Sequence, residues 1–193
     1  TSPEAQQVRE ADYDSVFDAT MAFWEEMVLE RAPLQIPEPK VQEYLVAGTI
    51  ANLLAIDHVD GDTIANVNKF HYHDWYGGSD PTNMLLAMGY MGLTEVTREG
   101  LLYWRKMQFP DGSFRMHRHQ EARYWELFGW NLWGWTSYYR LTRDRDFLER
   151  VYPGVVEACA WQERETAQDP LGLWPVATIG DDAFLKECRQ TGQ

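Results

Sequence analysis

Positive charge is what this sequence has least of relative to its opposite. It carries 17 Lys and Arg against 30 Asp and Glu, a formal net charge of -13 and a pI near 4.7. A nucleic-acid partner calls for a basic stripe, and none is visible; anionic membranes and polyanionic substrates are disfavoured by the same charge. Cysteine is scarce as well: Cys159 and Cys188 are too few for a disulfide framework and do not fix a compartment. Long apolar runs are missing, so no segment approaches the roughly 20 residues needed to span a bilayer, and no signal-peptide pattern is present. Strand signals are weak. The chain opens on Thr1-Ser2-Pro3 without an initiator Met, and both ends are expected to be cuts through a longer protein.

What remains is an ordinary globular composition, 45% hydrophobic and 24% charged, with an unusual load of 9 Trp. Indole rings dominate cores, and they also make flat platforms for sugar rings. An uncharged sugar suffers no repulsion from an acidic protein.

Helical periodicity recurs along the chain. Val16, Phe17, Ala19, Phe23 and Met27 follow a polar entry at Asp12, Asp14 and Ser15. Pro39 suits a first helical turn. After it, Val41, Tyr44, Leu45 and Gly48 make one stripe and Val46, Ile50, Leu53 and Leu54 another, which predicts a helix buried on more than one side. "SDPT" opens the next helix, with Asp80 as its N-cap and Pro81 as its first residue. Gly92 closes that helix, and Thr94 opens another that ends at Pro110-Asp111-Gly112-Ser113. In "YWELFGWNLWGWTSYYRLT", Trp125, Phe128, Leu132, Trp135 and Tyr139 form one stripe, while Glu126, Trp130, Trp133 and Ser137 occupy the opposite face. Asp144 caps a final segment in which Pro153 should break or kink the helix. The pattern predicts an all-α protein of αα-hairpins: 15–31 with 39–56, 81–91 with 94–108, and 122–141 with 144–167. Residues 1–193 read as one domain.

The order and spacing of "LLAMGYMGLTEVTREGLLYWRKMQFPDGSF", "GWNLWGWTSYYRLTRDRDFLERVYPGVVEACAWQ" and "GLWP" resembles the six-hairpin glycosidases of the glucoamylase-like kind. The resemblance runs from about Leu34 to Gln193. It implies that the hairpins form the first half of an (α/α)6 toroid, completed by a second chain or by a C-terminal half. It also implies hydrolysis of glycosidic bonds in a neutral oligo- or polysaccharide, with inversion and without a cofactor. In such relatives a Trp–x–Arg–Asp segment before the second inner helix holds the terminal sugar. "DWYGGSDPT" matches it, with Asp80 at the aspartate and Ser79 where arginine is expected. The acid of those relatives is a Glu directly after a Leu-Trp. Here Pro175 and Val176 follow Leu173-Trp174, so Asp181 or Asp182 becomes the candidate acid, and the base is expected beyond Gln193.

The residues themselves add to this list. "FHYHDWYGGSD", residues 70–80, offers Trp75 and Tyr76 as stacking rings and His73, Asp74 and Asp80 as hydrogen-bonding groups. Trp125 and Glu126 are expected across the cleft. A carboxylate among rings would hold its proton more tightly, or would pair with Arg105 or Arg123. Glu121 resembles a rim position. Two His-x-His pairs, His71/His73 and His117/His119, raise a transition-metal alternative with Asp74 or Glu121 as a third ligand, although the spacing matches no strong zinc signature. A carbohydrate-binding α/α protein without catalysis is the other alternative.

Overall fold

A computed structural model describes residues 2–30, 34–66, 78–115, 123 and 125–174. The described residues are mostly helical, with one two-stranded sheet, so the fold is all-α in class. The chain divides into two compact units, Thr1–Ala51 and Asn52–Gln193.

The first unit contains α1 (Pro3–Glu10), α2 (Tyr13–Trp24), a π-helical turn at Glu25–Glu30, and most of α3 (Pro39–Leu54). Local chemistry sets these starts. Ser2 Oγ accepts from Ala5 N–H, and Asp12 accepts from Ser15 N–H, each satisfying a first-turn donor that no helical carbonyl can reach. Two expectations fail here. α2 with its π-helical turn and α3 do not pack as the expected 15–31 with 39–56 hairpin, and α3 buries only Thr49 while Val41 and Tyr44 stay exposed. Broad apolar stripes need neighbours on several sides, and a unit of this size supplies few.

The second unit carries the packing. β1 (Ile56–Val59) and β2 (Asp62–Ala65) form an antiparallel hairpin that sequence reading missed. Its turn is Asp60-Gly61, both with positive φ, at +53° and +83°. Those angles fit the tight turn that matches strand twist, and Asp-Gly is its usual signature. Four helices follow: α4 (Ser79–Tyr90), α5 (Thr94–Met107), α6 (Glu126–Thr142) and α7 (Arg145–Thr166).

The side-chain contacts fix their arrangement. Leu85 meets Gly100 and Gly89 meets Thr97, so α4 and α5 run antiparallel, and the Thr97 hydroxyl donates to the Leu85 carbonyl at 2.7 Å. Tyr138 packs on Phe147 and Trp125 on Trp161, so α6 and α7 are antiparallel too. Gly78 lies against Leu127, Thr82 against Gly134 and Gly89 against Leu141, so α4 and α6 are neighbours running the same way. Arg98 pairs with Asp144, Arg105 with Glu157, and the side-chain amide of Gln108 donates to the Gly154 carbonyl, which aligns α5 with α7. Among the described residues, these four helices therefore form two layers, α4 with α6 and α5 with α7, from two hairpins in register, with β2 packed on α5.

Three local predictions need adjustment. α4 begins at Ser79 and its N-cap is Gly78, so Asp80 sits inside the first turn rather than capping it. Gly78 has φ +97°, and that left-handed backbone starts the helix two residues early. The buried stripe of α6 is Leu127, Asn131, Gly134, Trp135 and Tyr138, rotated from the predicted one because it must face α4 and the α5/α7 layer together. Pro153 lies inside α7 without ending it. Pro153 is exposed, and so is Glu149, whose carbonyl loses its helical donor to the proline. Gly92, by contrast, closes α4 as expected: with φ +86° it donates to the Gly89 carbonyl, and Leu93 N–H donates to the Met88 carbonyl.

Candidate functional site

The site is built where α4 and α6 begin. Gly78 has no side chain, and a Cβ there would lie 3.4 Å from Leu127 Cδ2 and 4.0 Å from Glu126 Oε1. The entry to α4 therefore rests directly on the first turn of α6. The Thr82 hydroxyl donates to the Gly78 carbonyl at 2.6 Å and holds this start in place. Asp80, in the first turn of α4, is exposed and accepts from Ser79 Oγ at 3.2 Å. Glu126, first residue of α6, is exposed rather than enclosed by rings. Arg105 and Arg123, its expected partners, pair with Glu157 and Asp111 respectively.

Trp125, just before α6, belongs to an aromatic cluster. Its ring stacks on Trp161 at 4.8 Å and 4°, and Trp174 leans on both at 5.0 and 5.3 Å. Phe128 completes the group, edge-on to Trp174 at 5.7 Å. One face of Trp125 is thereby taken up by Trp161. Trp161 is buried, and its indole N–H has no hydrogen-bond partner. Sequence reading placed Trp174 in a loop and did not join it to Trp125. The spacing of Trp161 and Trp174 around the end of α7 is the only signal that points to it.

Beside this cluster, the Phe109–Ser113 turn is held by a network. Phe109 N–H donates to the Ser113 carbonyl, and the Gln108 amide donates to the Gly112 carbonyl. Gly112 has φ +93°, and a methyl there would overlap the Glu157 carbonyl of α7. Arg115 and Arg123 both lie over the Phe109 ring, at 4.1 and 4.8 Å. Burial pushes the Asp111 carboxyl up, but hydrogen bonds from Ser113 Oγ and N–H and the Arg123 guanidinium outweigh it and leave the group below its ordinary value. This turn is a structural brace: its polar groups are spent on one another.

Asp80, Trp125 and Glu126 thus start from one edge of the α4/α6 layer. His73, Asp74, Trp75 and Tyr76, with His71, lie outside the described residues, as do His117, His119 and Glu121 and the candidate acids Asp181 and Asp182. By chain connectivity, residues 67–77 lead into Gly78 and residues 116–122 precede Trp125. Among the described residues, no group of three or more His, Cys, Asp or Glu is placed to hold a metal ion, and no helix is long and apolar enough to cross a membrane. No family model matches the chain, and no curated protein or solved structure matches it either.

Proposed function

We propose that this chain forms part of a glycoside hydrolase acting on a neutral oligo- or polysaccharide, on an arc of an (α/α)6 toroid. The observation that carries the reading is the shared edge. Gly78 lies on Leu127 and Glu126, so two carboxylates and an indole that the sequence assigns to sugar contact begin from adjacent helix starts. The two-layer order, with α4 beside α6 and α5 beside α7, supports an arc of repeated hairpins. The excess of acid over base suits an uncharged substrate.

In this reading Asp80 and Glu126 accept hydrogen bonds from sugar hydroxyls, alongside His73, Asp74, Trp75, Tyr76 and Trp125. Asp181 or Asp182 protonates the leaving oxygen as the glycosidic C–O bond breaks. A carboxylate outside residues 1–193 removes a proton from the attacking water, roughly 6.5–9.5 Å from the acid, and the product is inverted.

The test is hydrolysis of an aryl-glycoside panel by this chain and by longer polypeptides that contain it, with Asp181→Asn and Asp182→Asn. One of the two substitutions is expected to slow turnover about 100-fold or more. Unchanged rates in both remove the acid assignment. Saccharide binding without turnover in every polypeptide favours the non-catalytic carbohydrate-binding alternative.

A further inference from the structure

Among the described residues, three arginines are half-buried: Arg98, Arg105 and Arg115. Arg98 pairs with Asp144, and Arg105 pairs with Glu157. Arg115 has no such carboxylate among the described residues, although the chain holds 30 acidic residues against 17 basic ones. Its Nε is shielded from solvent and has no hydrogen-bond partner. Charged side chains taken out of water ordinarily have a partner, and a buried donor without one costs stability.

Two further cations gather at the same place. The Arg115 guanidinium lies 4.1 Å from the centre of the Phe109 ring and the Arg123 guanidinium 4.8 Å, so the two are no further apart than those distances together. Arg164 of α7 donates to the Asp111 carbonyl in the same turn. Among the described residues, Asp111 is the one carboxylate that any of the three pairs with, and Ser113 and Arg123 already engage it. A solvated charge stripe comes from one helix face. Here three guanidiniums from three separate segments converge on one turn. Phe109 follows α5 and Arg123 precedes α6, so the cluster lies at the helix ends, whereas neighbouring hairpins of a ring pack on helix flanks.

We infer that Arg115, with Arg123 and Arg164 beside it, forms a binding site for a small oxoanion, a carboxylate or a phosphate. Guanidinium presents a planar fork of N–H donors that matches either group. Stacking on Phe109 holds the Arg115 fork in place, so less freedom is lost when an anion arrives. With a net charge of -13, the surface around the site repels a polyanion and leaves a small ligand as the one that fits. A neutral saccharide would leave this charge unanswered, so the site stands apart from the glycosidase reading.

The experiment titrates the full chain with sodium phosphate and, separately, with sodium acetate, each against sodium chloride of matched ionic strength. Two readouts are used: the NMR signal of the Arg115 Nε–H, assigned by its loss in Arg115→Lys, and the thermal midpoint. A saturable shift of that signal is expected with at least one of the two anions, at a Kd of about 10 mM or tighter. Which anion produces it tells a phosphate site from a carboxylate site. By thermal melting, Arg115→Gln is expected to raise Kd about tenfold, and Arg115→Lys and Arg164→Gln about threefold each, since each keeps part of the cationic fork. Arg150→Gln, which removes an exposed arginine elsewhere on α7, is expected to leave Kd unchanged. No shift beyond the chloride control with either anion overturns the site. So does a Kd that Arg150→Gln raises as much as Arg115→Gln, which would mean screening of the whole surface. If Arg115→Gln does not fold, unchanged affinity in both Arg115→Lys and Arg164→Gln overturns it instead.

Discussion

At the scale of single residues, Gln108 shows how a polar side chain becomes indispensable inside a helical protein. It is buried at the end of α5, and its amide donates to the carbonyls of Gly112 and Gly154, both at 2.9 Å, while its oxygen accepts from Arg105. One side chain thus ties a turn to α7. Gly154 leaves the space it needs, since a Cβ there would crowd both Gln108 and Arg105. Gln108→Leu keeps the volume but leaves the buried Gly112 carbonyl without its donor, while the Gly154 carbonyl, inside α7, keeps only its helical bond; one unpaired buried group costs about 1–3 kcal/mol. We expect the substitution to lower unfolding stability by about 1–3 kcal/mol in urea titration. No period or motif marks Gln108 in the sequence. It follows a helical stripe as an unremarkable polar residue, and only the approach of α7 gives it work. Asp80 is the converse case. "SDPT" is a capping pattern, yet the left-handed Gly78 in front of it starts the helix earlier, because the chain must fold over the first turn of α6.

At the scale of elements, the α6–α7 corner is the clearest instance of local chemistry deciding a boundary. Arg143 closes α6 in the left-handed region at φ +58°, and Asp144 then caps α7 by accepting from Phe147 N–H at 3.0 Å. Arg98 of α5 reaches across to the same carboxylate at 2.9 Å, and to Glu99 and Asp146. The Phe147 N–H is the largest cause that holds the Asp144 carboxyl below its ordinary value of 3.8; slight burial opposes it and Arg98 adds to it. The folded protein therefore binds this proton less readily than the unfolded chain. Its contribution is fully present above about pH 4 and is lost as pH falls through the lower folded value. Asp144→Ala should cost about 1–2 kcal/mol at pH 7. Asp144→Asn retains a cap and should flatten the stability profile below pH 4, measured by thermal melts between pH 2 and 7.

The helices themselves were legible because amphipathic spacing and turn residues agree: α4 to α7 lie close to their predicted spans. The β-hairpin left Asp60-Gly61 as its one sequence signal, because the flanking IDHV and DTIA do not alternate apolar with polar residues and their charges are all acidic. The failure of the first predicted hairpin has a different origin. Periodicity marks a helix's apolar side without saying what covers it. The candidate site divides in the same way. Trp125 and Glu126 are candidates by residue type and spacing and Asp80 by the family resemblance, whereas the Trp161–Trp174 contacts join positions that only the packing of α6 on α7 brings together.

At the scale of the whole molecule, the two units differ in how they hold themselves together. In Asn52–Gln193, Leu101 is fully buried where three helices converge. Its side chain meets Gly134, and its carbonyl accepts from Trp135. Leu101→Ala should therefore cost about 2–5 kcal/mol and loosen both hairpins together. Hydrogen exchange is expected to show α4–α5 and α6–α7 losing protection by similar amounts. Protection lost from α4–α5 alone would mean that the hairpins unfold separately.

The common direction of α4 and α6 has an electrical consequence. Each helix gathers about half a unit of positive charge at its N-terminus from aligned peptide dipoles, and two such ends here stand side by side. Asp80 and Glu126 each occupy a first turn, where a carboxylate offsets that charge by about 0.3–1 kcal/mol. These two acids thus relieve a mutual repulsion that parallel neighbours create, whatever ligand they meet.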